Sequence, residues 1–144
     1  MKRILFVYVV FSMILISCSS DDDVNPVMIK EDIKFEVVST GNKAGVIYRT
    51  FNTETEVDSV DSFPYRYTYL QKEIVPDDLL KLVFVPEGFH SELEEDPLWT
   101  DYKVELKIIV GYKVVEEMIF PITKETDFVQ LEHYFIKTGP NKME

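Results

Sequence analysis

Only one cysteine, Cys18, occurs among the 144 residues, together with two histidines and one tryptophan. A single thiol excludes an internal disulfide and any cysteine-cluster zinc site. Basic residues are also short, with 15 Lys and Arg against 26 Asp and Glu and a formal net charge of -11. Binding a phosphate backbone needs a Lys/Arg footprint, so nucleic acid is excluded as a partner. The longest apolar run, Ile4 to Ile16, falls short of the roughly 20 residues a spanning helix requires. After it, no stretch carries a helical period. What is plentiful is apolar and aromatic residues, 46% and 13% of the chain, ordinary for a folded domain.

The start of the chain has the layout of a secretory signal: Lys2 and Arg3, then the apolar run broken only by Ser12. The residues after it are polar and acidic, so no positive flank would hold it across a membrane. At its end, Leu15-Ile16-Ser17-Cys18 resembles the lipobox of bacterial lipoproteins. In that family the cysteine is diacylglycerylated, the preceding peptide is removed and the new amino terminus is acylated. The resemblance implies that residues 1–17 are a signal peptide and Cys18 the lipidation site. Two or more acyl chains suffice for stable anchoring without a spanning helix. The next residues, Ser19, Ser20, Asp21, Asp22 and Asp23, resemble the acidic export signal of surface lipoproteins in the Bacteroidota. Their bland alternative is a solvated linker. Cleavage before Cys18 leaves 127 residues and moves the formal charge to -13.

Residues 18–30 read as an acidic, lipidated tether with Asn25-Pro26 as a breaker, and residues 31–144 as one domain. From Ile33 the dominant period is two. Ile33, Phe35 and Val37 alternate with Lys34 and Glu36, and a second strand runs from about Ala44 to Phe51 after a Gly41-Asn42 turn. Asn52 to Asp61 is polar and reads as a loop or an exposed edge. Phe63, Tyr65, Tyr67 and Tyr69 share one side of a strand entered past Pro64. Val75 to Asp78 is a turn signal before the apolar run Leu79–Val85. The clearest alternation is Tyr102, Val104, Leu106, Ile108 and Val110. Gly111-Tyr112 then offers a type II′ hairpin turn, with return strands over 113–120 and 128–136. About seven strands without helices predict an all-β chain: an immunoglobulin-like antiparallel β-sandwich following the cleaved signal segment.

Several pieces resemble, in order, the MmpS-like β-sandwich, a small domain that also occurs in acidic bacterial lipoproteins. They are Phe35-Glu36-Val37-Val38-Ser39, Ala44-Gly45-Val46-Ile47-Tyr48, Phe63-Pro64-Tyr65, Asp78-Leu79-Leu80-Lys81-Leu82 and the hairpin from Val104 to Val115. Gly111 follows Val110 without the aspartate usual in that pattern, and the loop from Glu87 to Thr100 is longer. The resemblance implies a non-catalytic role, in some members as an accessory to exporters of lipids or siderophores. It carries over no functional residues.

Chemistry-bearing constellations are few. His90 and His133 stand without a nucleophile motif, and read as structural or surface residues. The runs Glu92, Glu94, Glu95, Asp96 and Glu56, Asp58, Asp61 are carboxylate-rich but lack EF-hand spacing, so a solvated acidic loop is expected rather than calcium. No metal and no cofactor is expected. The row Phe63, Tyr65, Tyr67, Tyr69 reads first as an inward face, with a binding platform as the alternative. The candidate exposed binding residues are Trp99, Tyr102 and Tyr112, near loop ends. The expectation is a membrane-anchored lipoprotein at the outer membrane, facing the cell surface or the periplasm, that binds a protein or glycan partner. The alternatives are an exporter's accessory subunit, or a small carbohydrate-active enzyme or carbohydrate-binding module. A binding module predicts an exposed aromatic or apolar patch.

Overall fold

A computed structural model of the chain describes residues 28–41, 43–87 and 99–136. The lipobox, Cys18, the Ser19–Asp23 segment, His90 and the Glu92–Asp96 run lie outside those residues.

The alternation starting at Ile33 sits in β1, Ile29–Ser39, which turns Ile33, Phe35 and Val37 fully inward. Ile29 and Lys30 belong to this strand, so it begins two residues before the domain start read from sequence. The remaining strands are β2 (Gly45–Phe51), β3 (Glu54–Val60), β4 (Tyr65–Ile74), β5 (Leu79–Pro86), β6 (Tyr102–Val110), β7 (Lys113–Ile122) and β8 (Val129–Tyr134). They form two four-stranded antiparallel sheets, ordered β4-β1-β6-β7 and β3-β2-β5-β8, packed as a β-sandwich. Among the described residues there are eight strands rather than about seven. The added one, β3, falls in the polar stretch from 52 to 61 and is an edge strand.

Between the sheets lie Ile33, Phe35 and Val37 of β1, Val104, Leu106 and Ile108 of β6, Leu80, Leu82 and Phe84 of β5, and Ile47 of β2, all fully buried. Each such side chain contributes about 1.5–3 kcal/mol by leaving water. Gly45 faces this layer because a Cβ there would stand 2.4 Å from the Phe84 ring. The β6–β7 hairpin closes on two residues, Val110 pairing with Lys113, and Gly111 has φ of 59°. That fits the type II′ turn expected from glycine in first position.

Two polar devices fix one end of the sandwich. In β4, Leu70 and Gln71 together oppose Asp32, and Gln71 takes φ of 48°. The Asp32 carboxylate accepts hydrogen bonds from the Gln71 backbone and side-chain N–H groups, both at 3.0 Å, and these hold its pKa below the ordinary value. The turn between β4 and β5 is organised by Asp78, which is buried. Its carboxylate accepts from the Val75 backbone N–H and from Asn52 Nδ2, both at 2.8 Å. Asn52 in turn accepts from the Leu79 backbone N–H at 2.9 Å. The Asp78 carbonyl takes the Phe135 N–H, so one aspartate ties the ends of β2, β4, β5 and β8 together.

Removing that carboxylate leaves buried donors unsatisfied, a loss of about 1–3 kcal/mol. Asp78→Ala is therefore expected to lower unfolding stability by about 2 kcal/mol in urea titrations, and Asp78→Asn, which keeps one acceptor, by less. Equal stability of Asp78→Ala and the parent would refute this role.

Candidate functional site

Along β4 the alternating tyrosines Tyr65, Tyr67 and Tyr69 point inward and are half-buried, as the inward-face reading expects. They do not pack only on carbon. Arg49, at an inward position of β2, is 2% exposed, and its guanidinium carbon lies 3.4 Å from the Tyr67 ring centroid and about 6 Å from those of Tyr65 and Tyr69. Arg49 Nη2 donates to Asp58 Oδ2 at 2.8 Å, and Nη1 lies 3.0 Å from Glu56 Oε2, both on the neighbouring β3. The Tyr65 hydroxyl donates to the same Asp58 oxygen.

Alternate residues of β3 face inward, so Glu54, Glu56 and Asp58 carry charge toward the sandwich interior, and Arg49 neutralises two of them. Glu56 and Asp58 remain 47% and 40% exposed, so the cluster is a plug at the open side between β3 and β4. Burial and the Asp58 hydrogen bond push the Tyr65 hydroxyl well above its ordinary pKa. Burial and the adjacent Glu56 push Tyr69 up to about 12. For Arg49, burial pulls down while Tyr67, Tyr65, Asp58 and Tyr69 pull up more, leaving its pKa raised. A planar cation on an aromatic face in a desolvated site gains about 2 kcal/mol. The guanidinium is thus consumed in holding the edge, and the tyrosine row is not a free platform.

The candidate binding aromatics separate. Tyr102 is 7% exposed and belongs to the core, where burial alone raises its hydroxyl pKa to about 12. Tyr102 is therefore not an exposed contact residue: it shares the inward phase of Val104 and Leu106. Trp99 is half-buried, its Nε1–H donating to Asp101 Oδ1 at 3.0 Å and its ring under Lys43 Nζ at 3.8 Å. Tyr112 is fully exposed on the β6–β7 hairpin, about 30 Å from Tyr102 at the usual rise of β6. Trp99 and Tyr102 are neighbours, with ring centroids 6.1 Å apart, whereas Tyr112 is at the other end of the strand.

His133 of β8 faces Glu116 of β7, Nδ1 to Oε1 at 3.3 Å, with its ring edge-on to Phe135 at 4.9 Å. The pair closes the β7/β8 side of the sandwich as Arg49 closes the other. Among the described residues no group of three His, Cys, Asp or Glu side chains is placed to hold a metal ion.

The outer faces differ in kind. Across the β4-β1-β6-β7 sheet runs a row Arg66, Glu36, Lys107, Glu117 of alternating charge, with Arg66 on Glu36 at 2.8 Å and Lys107 on Glu117 at 2.9 Å. The other sheet has Val57, Tyr48, Val83 and Gln130 in one row and Ser59, Val46 and Val85 in the next. Tyr48 is 37% exposed and Val57 54%. Beside them opens a groove of about 570 Å³ lined by Val46, Tyr48, Val60 and Val85 together with Asp61 and Glu87. Sequence reasoning missed this surface. Its signal is the second phase of β2, Val46-x-Tyr48, hidden beside the inward Ile47.

No protein-family model, no curated protein and no solved structure matches the chain.

Two outcomes follow for the cluster. Arg49→Ala, which leaves a cavity against Tyr67, is expected to lose about 3 kcal/mol in urea unfolding, and Asp58→Asn, at a half-exposed site, about 1 kcal/mol. The reverse ranking would refute Arg49 as the anchor. With folded pKa values of about 12 at Tyr69 and Tyr102 against an ordinary 10, neutral tyrosine is favoured by the fold. Their contribution to stability is complete below pH 10 and lost as pH rises through 12. Urea midpoints read alongside tyrosinate absorbance between pH 9 and 12 should fall together with this late ionisation.

Proposed function

We propose that this chain is a lipid-anchored, extracytoplasmic β-sandwich that works as a non-catalytic binding module at the outer membrane, on the cell-surface side. Its anchor is Cys18, acylated after removal of residues 1–17, and its tether is the acidic segment through residue 30. The observation that carries the binding role is the uncharged outer face around Tyr48 and Val57, with the adjoining groove. A grid of paired charges on the opposite sheet is the ordinary way to keep a face solvated, and the β3-β2-β5-β8 sheet lacks it in its central rows. The groove has the volume of a small-ligand site, 300–1,000 Å³, but it is open, which suits a protein side chain or a sugar ring laid on Tyr48. The order of strand motifs similar to MmpS-like domains is consistent with a module of this kind.

The test uses the processed protein in intact membranes. Mass spectrometry of the membrane form is expected to give acylated Cys18 as the first residue, and Cys18→Ala to release the chain from processing and membrane retention. A photoreactive phenylalanine analogue at position 48 is expected to yield a discrete adduct absent when the analogue is at position 68, on the charged sheet. Unmodified Cys18 in the membrane form would overturn the anchor. Indistinguishable adduct patterns at the two positions would overturn the binding face.

A further inference from the structure

The register fixes which end of the sandwich the tether enters. β1 begins at Ile29 opposite Ile74, the end of β4, and Ile33 stands opposite Val110, the end of β6. Gly111 N–H donates to the Asp32 carbonyl at 2.8 Å, so the β6–β7 hairpin lies beside the first residues of β1. On the other sheet, Leu79 opposite Tyr134 puts the end of β8 at this same pole. Nine residues lie between Cys18 and Met28, and fully extended this stretch reaches at most about 35 Å.

This pole is also where exposed apolar side chains gather. Met28, Leu70, Tyr112 and Val114 come from one sheet, and Tyr134 and Ile136 from the end of the other. Tyr112 is fully exposed and Leu70 73% exposed. The Gly111-Tyr112 turn alone does not require an aromatic, since a type II′ turn constrains its glycine and leaves the second position open. The charges here are of both signs, with Lys30 paired to Glu73 at 2.9 Å, Lys72 and Lys113 nearby, and Glu31, Asp32 and Asp77 among them. Glu87 and Trp99 flank the segment that contains Glu92, Glu94, Glu95 and Asp96, and both belong to the opposite pole, at the end of β5 and before β6.

We propose that this tether-side pole rests on the lipid bilayer, with Tyr112 and Leu70 entering the headgroup region, so that the sandwich stands with its strands along the membrane normal. The proposal rests on the lipid-anchor reading, because a tether of this length keeps the pole within about 35 Å of the bilayer, in reach of contact. Tyrosine suits the boundary, with an apolar ring and a wet hydroxyl, and lysine stems can lie on the apolar side while their ammonium groups stay in water. A bilayer also accounts for apolar residues drawn from the ends of both sheets, which no single strand pairing would cover.

The experiment uses the full chain, processed in cells and reconstituted in vesicles of phosphatidylethanolamine and phosphatidylglycerol. Once Cys18 is acylated its sulfur is a thioether, so Tyr112→Cys supplies the one free thiol for an environment-sensitive fluorophore. Phe128→Cys, at the opposite pole and also exposed, is the control. The label at 112 is expected to emit at shorter wavelength and to be quenched several-fold more strongly by lipids brominated near the headgroup. Adding Leu70→Ser is expected to weaken both effects. Acylated Cys18 with equal emission and quenching at 112 and 128 overturns the docked pole and leaves the anchor standing. Unmodified Cys18 overturns the anchor, and the docked pole with it.

Discussion

The sandwich stays shut on its β3/β4 side because one cation, Arg49, is held between tyrosines of one sheet and carboxylates of the other. Edge strands need a device against pairing with other chains, and inward-pointing charge is one such device. β3 carries it in Glu54, Glu56 and Asp58, but charge pointing inward would open the sandwich if nothing met it. Arg49 meets it with a planar group whose face lies on Tyr67 while its Nη atoms reach the acids. Lysine could not do both, since its ammonium offers no plane to stack. Because Glu56 and Asp58 keep contact with water, the cost of burying this ion pair is smaller than for a fully dry pair.

Much else depends on that plug. β3 supplies Val57 and Ser59 to the outer face and Val60 to the groove, with Asp61 just past its end, so their placement requires β3 to stay paired on β2. The tyrosine row is fixed as an interior wall for the same reason. A feature that reads in sequence as a possible sugar platform thus serves the proposed binding surface indirectly, by holding in place the strand that forms part of it. At the far side His133 and Glu116 close the sandwich with a looser contact of 3.3 Å, and the partly buried Phe120 and Val115 share that work.

The strands that were legible in the sequence are those whose inward positions are all apolar. β1, β5 and β6 show it in Ile33-x-Phe35-x-Val37, Leu80-x-Leu82-x-Phe84 and Val104-x-Leu106-x-Ile108. β3 was legible only as a polar stretch or exposed edge, because its inward residues are acids and the residue that pairs them lies on another strand. No local pattern says which arginine will fold back onto which carboxylates. Tyr102 carried its own answer, since it keeps phase with Val104 and Leu106, and proximity to a loop end was the weaker guide. The outer apolar rows were not legible for a different reason. They are assembled from Val46, Tyr48, Val57 and Val83 across three strands, and their adjacency exists only once the register is set.

The register also relates the two surfaces to one another. The groove lies toward the end of the sheet where β5 finishes at Pro86, away from the pole where the tether enters. Strands of seven to ten residues rise about 3.3 Å per residue, so a domain standing on its tether-side pole carries the groove roughly 20–30 Å above the bilayer. In that posture the outer rows of the β3-β2-β5-β8 sheet face sideways, along the membrane plane. A partner meeting that face would itself project from the membrane, or be a glycan layer of that depth. A small soluble molecule has no such constraint on height. The proposed tether of nine residues would be needlessly short for it, whereas for a partner fixed in the same membrane a short tether would raise the effective concentration of the face. On the proposed anchor, the tether length and the position of the groove favour the same class of partner, although they arise from opposite ends of the domain.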